Sequence, residues 1–174
     1  LLFFGACAQP MAPPGRVGSF AGTPIRESSG LVASRTQPGV FWTHNDSGSC
    51  GPRVWAVRLN ESDAAAGVAR DLGYVELAGA TNVDWEDISA GPDSRIYILD
   101  GGDNPPCTRT DKRIHRFVEP RIDSAGPRLA RTLRFESVRF EYPSGHPDRP
   151  ARLDTHRYDA ECLFVHPVSG DIYI

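Results

Sequence analysis

One supersecondary pattern occurs three times along this chain, and that repetition limits the fold more than any other feature. A lead-in of acidic or Ser residues enters a short apolar strand. A tight turn follows, then a second alternating strand that ends in a polar loop. The fullest copy is residues 84–104, DWEDISAGPDSRIYILDGGDN. Earlier, Glu27-Ser-Ser-Gly-Leu-Val-Ala passes through Gln37-Pro-Gly to Val40-Phe-Trp-Thr and the loop His44-Asn-Asp-Ser-Gly. Later, Asp159-Ala-Glu-Cys-Leu-Phe-Val passes through His166-Pro-Val-Ser-Gly to Asp171-Ile-Tyr-Ile. Equivalent first-strand positions, Gly30, Asp87 and Cys162, recur 57 and then 75 residues apart. A common propeller blade takes roughly 40 to 50, so insertions are expected, chiefly at 104–112 and 143–155.

Between the repeats, alternating stretches predict further strands over 26–34, 40–43, 53–59, 68–77 and 113–118, with two short ones inside 129–142. Gly30 suits a bulge or a close approach of another backbone. The 68–77 strand carries Arg70, Asp71 and Glu76 and reads as an outer one. No capped amphipathic helix is visible. The fold class is therefore all-β. Units of four short strands cannot bury their apolar faces alone, and radial repetition of four to eight such units solves the problem. About two and a half units are present. The expectation is a partial β-propeller over 26–174, six-bladed or seven-bladed in a longer protein, because the chain begins without Met and stops inside a strand.

Residues 1–7, LLFFGAC, read as the end of a signal peptide. Gly5-Ala6-Cys7 is similar to a bacterial lipobox, which makes Cys7 a lipidation site. Residues 8–25, rich in Pro, Gly, Ala and Ser, read as a flexible tether. Export places the chain in the periplasm, in the outer membrane as a lipoprotein, or at the cell surface. An oxidising compartment permits a disulfide between Cys50 and Cys107, which lie in loops beyond the first two hairpins. Cys162, in an apolar stretch, reads as a small buried hydrophobe. With 19 basic and 22 acidic side chains and no basic run, nucleic acid is excluded as a partner. No later stretch is long and apolar enough for a membrane span, so membrane contact is expected only through the lipid anchor.

Glu27-Ser-Ser-Gly-Leu, Trp42-Thr-His-Asn-Asp-Ser-Gly, Asp84-Trp-Glu-Asp-Ile, Asp100-Gly-Gly-Asp-Asn and Asp159-Ala-Glu-Cys-Leu, followed by Gly170-Asp-Ile-Tyr-Ile, together resemble a family of exported bacterial β-propeller proteins. More distantly they resemble six-bladed propellers of the TolB-like type. The resemblance spans 26–174 and implies the fold, not a chemistry. Cys162 and Gly101-Gly102 depart from that family's pattern.

In a propeller, the first strand of each blade lines the central channel. Glu27, Glu86 or Asp87, and Glu161 fall at or just before that strand in the three units, and are the candidate metal ligands. Carboxylates converging at a channel mouth repel one another unless a cation or an Arg neutralises them, and hard oxygen donors suit calcium or magnesium. The plainer alternative is that they cap turns and accept backbone N–H bonds between blades. Trp85 and Asp46 are the candidate ligand-binding residues, Trp85 because an aromatic beside carboxylates suits a glycan surface. His44, Glu86 and Asp87 are the catalytic set if the protein is an enzyme. No Gly-x-Ser-x-Gly elbow, P-loop or Cys-x-x-Cys occurs. The leading expectation is a cell-envelope propeller that binds a small molecule, a glycan or an envelope protein, with calcium in or near the channel. The rival is a metal-dependent hydrolase of phosphoesters, lactones or glycosides, its ion activating a water.

Overall fold

The alternation read from the sequence becomes strands in a computed structural model of the chain, which describes residues 19–20, 24–47, 51–59, 67–106, 108–123, 128–142 and 158–174. Four strands form the first antiparallel meander: β1 (Ser28–Ala33), β2 (Val40–Asn45), β3 (Arg53–Arg58) and β4 (Arg70–Leu77). The second unit begins with β5 (Trp85–Ala90), β6 (Arg95–Asp100) and β7 (Arg113–Val118). The chain then crosses back, lays β8 (Leu129–Leu133) parallel to β4, and returns as β9 (Glu136–Arg139) on the outer side of β7. The third unit opens with β10 (Phe164–Val165) and β11 (Ile172–Tyr173). The result is sheets of five, four and two strands. There is no helix among the described residues, and hence none long and apolar enough to cross a membrane.

Period-two alternation explains how these sheets stack, because successive side chains point to opposite faces. In β3, Val54 and Ala56 face the second sheet, whereas Trp55 and Val57 turn the other way onto Ile25. In β6, Ile96 and Ile98 join the core shared with the first sheet, and Tyr97 and Leu99 pack on Ala160, Leu163 and Val165 of the third unit. The central strands β3 and β6 are therefore buried on both faces. Each fully buried side chain such as Ile98 or Leu99 contributes about 1.5–3 kcal/mol. The β5–β6 hairpin closes through Arg95 N–H to the Pro92 carbonyl (3.1 Å), with positive φ at both central residues, Asp93 and Ser94. That is the backbone twist a two-residue hairpin favours.

The three first strands lie side by side. Ser29 Oγ donates to the Glu86 carbonyl at 2.7 Å, joining β1 to β5. Leu163 N–H reaches Asp87 Oδ2 at 2.7 Å and Val165 N–H reaches Ser89 Oγ at 3.0 Å, joining β5 to the third unit. Gly30 permits the first contact, since a Cβ there would stand 2.8 Å from the Ile88 nitrogen. The close approach expected of Gly30 is present, and so is a register shift between Ser28 and Leu31.

Two expectations are corrected. The 68–77 strand is not an outer edge, because β8 covers it, with Arg128 paired to Asp71 at 2.7 Å and its guanidinium over the Tyr74 ring. Cys162 is exposed rather than buried. Leu163 and Val165 take the inward positions of that segment and leave Cys162 outside. The fold is all-β in several sheets, as expected. Cys7, Cys50 and Cys107, the 143–155 insertion and the 1–7 segment lie outside the described residues.

Candidate metal centre

The lead-in pentads explain how the site is assembled. Set in register on Leu31, Ile88 and Leu163, they read Glu-Ser-Ser-Gly-Leu, Asp-Trp-Glu-Asp-Ile and Asp-Ala-Glu-Cys-Leu. Glu27 thus stands where the later units carry Asp84 and Asp159, and Ser29 stands where they carry Glu86 and Glu161. In β5 the pairing goes from Trp85–Asp100 to Asp87–Leu99, so Glu86 is the extra residue of a β-bulge. The bulge in β1 falls within the equivalent pentad. A bulge re-aims a side chain out of strict alternation, and here it frees Glu86 to point along the end of the sheet.

Asp46, just beyond β2, reaches the same place. Trp85 N–H donates to its carbonyl at 2.9 Å, and a single bridge pairs Ser47 with Asp84. One oxygen from each of Asp46, Asp84 and Glu86 lies within 4.8 Å of the others, and the same holds for Glu86, Asp159 and Glu161. Glu86 belongs to both groups and is the buried member at 7 % exposure. The floor is Gly102, where a Cβ would lie 2.2 Å from Glu86 Oε1 and 2.4 Å from Asp84 Oδ2. Asn104 Nδ2 donates to Asp84 Oδ2 at 3.2 Å, and Asp103 N–H donates to Asp159 Oδ1 at 2.6 Å. Asp103 itself is neutralised by Lys112 at 2.6 Å.

The crowding of carboxyls raises the proton affinity of Glu86 and Asp46. Burial, then the charges of Asp46, Glu161 and Asp84, push Glu86 up to about 8. Asp46 is also raised, by burial first and then by Asp84, Glu27 and Glu161. At neutral pH Glu86 therefore holds its proton. Two physical routes relieve such a cluster: a retained proton, or a cation that replaces it. Neither group contains His or Cys. The all-oxygen donor set suits calcium or magnesium rather than a soft metal.

Of the residues expected from sequence, the fold brings Asp46, Glu86 and Glu161 together. Glu27 lies outside both groups; its carbonyl accepts the Asp46 N–H at 2.9 Å and its charge acts on the Asp46 carboxyl. Asp87 is engaged by backbone: Oδ1 accepts Ile88 N–H at 2.8 Å and Oδ2 accepts Leu163 N–H. His44 is fully buried, with Nδ1 donating to the Asn45 carbonyl at 3.0 Å and burial lowering its pKa. Trp85 is also fully buried, its ring against His44 at 5.8 Å and His115 at 5.9 Å. Asp84 and Asp159, acidic residues that open the second and third repeats, complete the two groups, and only Gly102 is without a sequence signal. The register of the pentads was the signal that pointed to the two aspartates. The chain matches no family model, no curated protein and no solved structure.

Proposed function

We propose that this chain belongs to an exported β-propeller that holds a calcium-class cation where its first strands converge, and through that site binds a small molecule, glycan or envelope protein. The observation that carries the reading is the sharing of Glu86 between two carboxylate groups drawn from successive units. A propeller is favoured because equivalent pentads supply equivalent positions around one axis, as radial repetition requires. Binding is favoured over hydrolysis by the placement of the catalytic set. His44 faces the core, and both oxygens of Asp87 hold backbone amides. That leaves no free base beside the carboxylates from that set. Export, lipidation at Cys7 and a Cys50–Cys107 bridge belong to the same proposal and rest on the sequence.

Isothermal titration with calcium and magnesium tests it, with E86Q and E161Q as controls. Saturable binding that both substitutions weaken at least tenfold supports the site. Heats indistinguishable from dilution for both ions would sink the metal reading and leave these carboxyls as a proton-sharing cluster.

A further inference from the structure

We propose that Ser137, His115 and Asp100 form an acyl-transfer relay across the outer part of the second sheet, sharing no side chain with the carboxylate cluster although Asp100 accepts the Asp84 N–H. Strand register builds it. His115 on β7 is the direct partner of Ser137 on β9, so the two side chains share a face. Asp100, at the end of β6, lies two positions along from Ile98, the β6 partner of His115. Ser137 Oγ stands 3.0 Å from His115 Nδ1, within reach for a nucleophile and its base. His115 Nε2 lies 3.7 Å from Asp100 Oδ2 and has no other partner. Relay contacts are often that loose before substrate binds.

The polarity of the arrangement is what such a relay needs. Asp100 is buried, and its Oδ1 is held by Arg109 at 2.6 Å and by Asp84 N–H at 3.1 Å. The other oxygen is left toward the imidazole. That favours the tautomer with a proton on Nε2 and a lone pair on Nδ1 aimed at Ser137. The His115 ring is fixed by Phe135, edge to face at 5.1 Å, and by Trp85. Ser137 is exposed on an edge strand, so an acyl group can reach it from solvent. Triads are recognised by geometry and role rather than by sequence position.

The substrate class is a small carboxylic ester. Ser137 Oγ attacks the carbonyl carbon while its proton passes to His115 Nδ1. The bond to the leaving alkoxide breaks, and His115 returns the proton to that oxygen. Water then repeats the route, giving the acid, the alcohol and free Ser137. Ser137 is the nucleophile, His115 the base, and Asp100 a positioning residue.

A small fluorophosphonate tests the relay, since it loses fluoride far faster to an activated serine hydroxyl than to an ordinary one. The full chain should gain one adduct, located to the Ser137 peptide by mass spectrometry. The S137A variant should gain none, and H115Q or D100N should react about 100-fold more slowly. Urea-unfolded wild type is the control that needs no folded variant, and its labelling should vanish. The inference is overturned by no adduct, by an adduct elsewhere, or by labelling at Ser137 that persists unchanged in urea or in both folded variants.

Discussion

Glu86 concentrates the chemistry at the scale of the single residue. Its carboxyl has a folded pKa of about 8, above that of an unfolded chain. Below the unfolded value both states are protonated. Between the two values only the unfolded state releases its proton, so stability falls as pH rises through that window. The apo protein's melting temperature should therefore drop from pH 5 to pH 8 more steeply in wild type than in E86Q, as followed by circular dichroism. Equal slopes would show that Glu86 is not the group responsible. Calcium should flatten the wild-type slope by replacing the retained proton. A second residue-scale case is Trp42, whose Nε1 donates to buried Glu119 at 2.8 Å. W42F should cost about 1–3 kcal/mol in urea unfolding, since the Glu119 carboxylate loses a buried donor. Sequence reading placed acidic groups at the right end of the right strands. It could not choose between Glu86 and Asp87, because strict alternation assigns them by parity and the bulge overrides parity.

Strands were the most legible elements. Arg113–Val118 and the two short strands within 129–142 form where alternation places them, and β3 buries its two faces as its period predicts. Partnership was not legible. Nothing local in Leu129–Leu133 says that it pairs with β4 rather than with its sequence neighbour β7, since the choice is made by contacts distant in the chain. Gly73 is the residue that allows it. It has φ of 113°, and a Cβ there would fall 2.0 Å from the Leu129 carbonyl oxygen. G73A should cost about 1–3 kcal/mol through backbone strain and crowding. It should also raise hydrogen exchange in β8 ahead of β9, and uniform protection across both strands would refute the steric account.

Across the whole molecule, the carboxylates are contributed by three successive units, so a cation would tie those units together as well as occupy a site. Calcium at 100 times its Kd should raise stability by about 2.7 kcal/mol, read as a higher melting temperature. At the same calcium concentration the rise should fall to about 1.4 kcal/mol or less in E161Q, whose missing charge comes from the third unit. A rise undiminished in E161Q would place the ion in the Asp46, Asp84 and Glu86 group alone.

The crossing of β8 also bears on how the chain is made. As residues emerge in order, β1 to β4 are complete long before the strand that covers β4. Until Leu133 has been made, the first sheet presents a row of unpaired amides and carbonyls, a template that other chains can pair with. Translation pausing between Leu77 and Leu133 would prolong that exposure, and a chaperone that shields strand edges would be needed most in that interval.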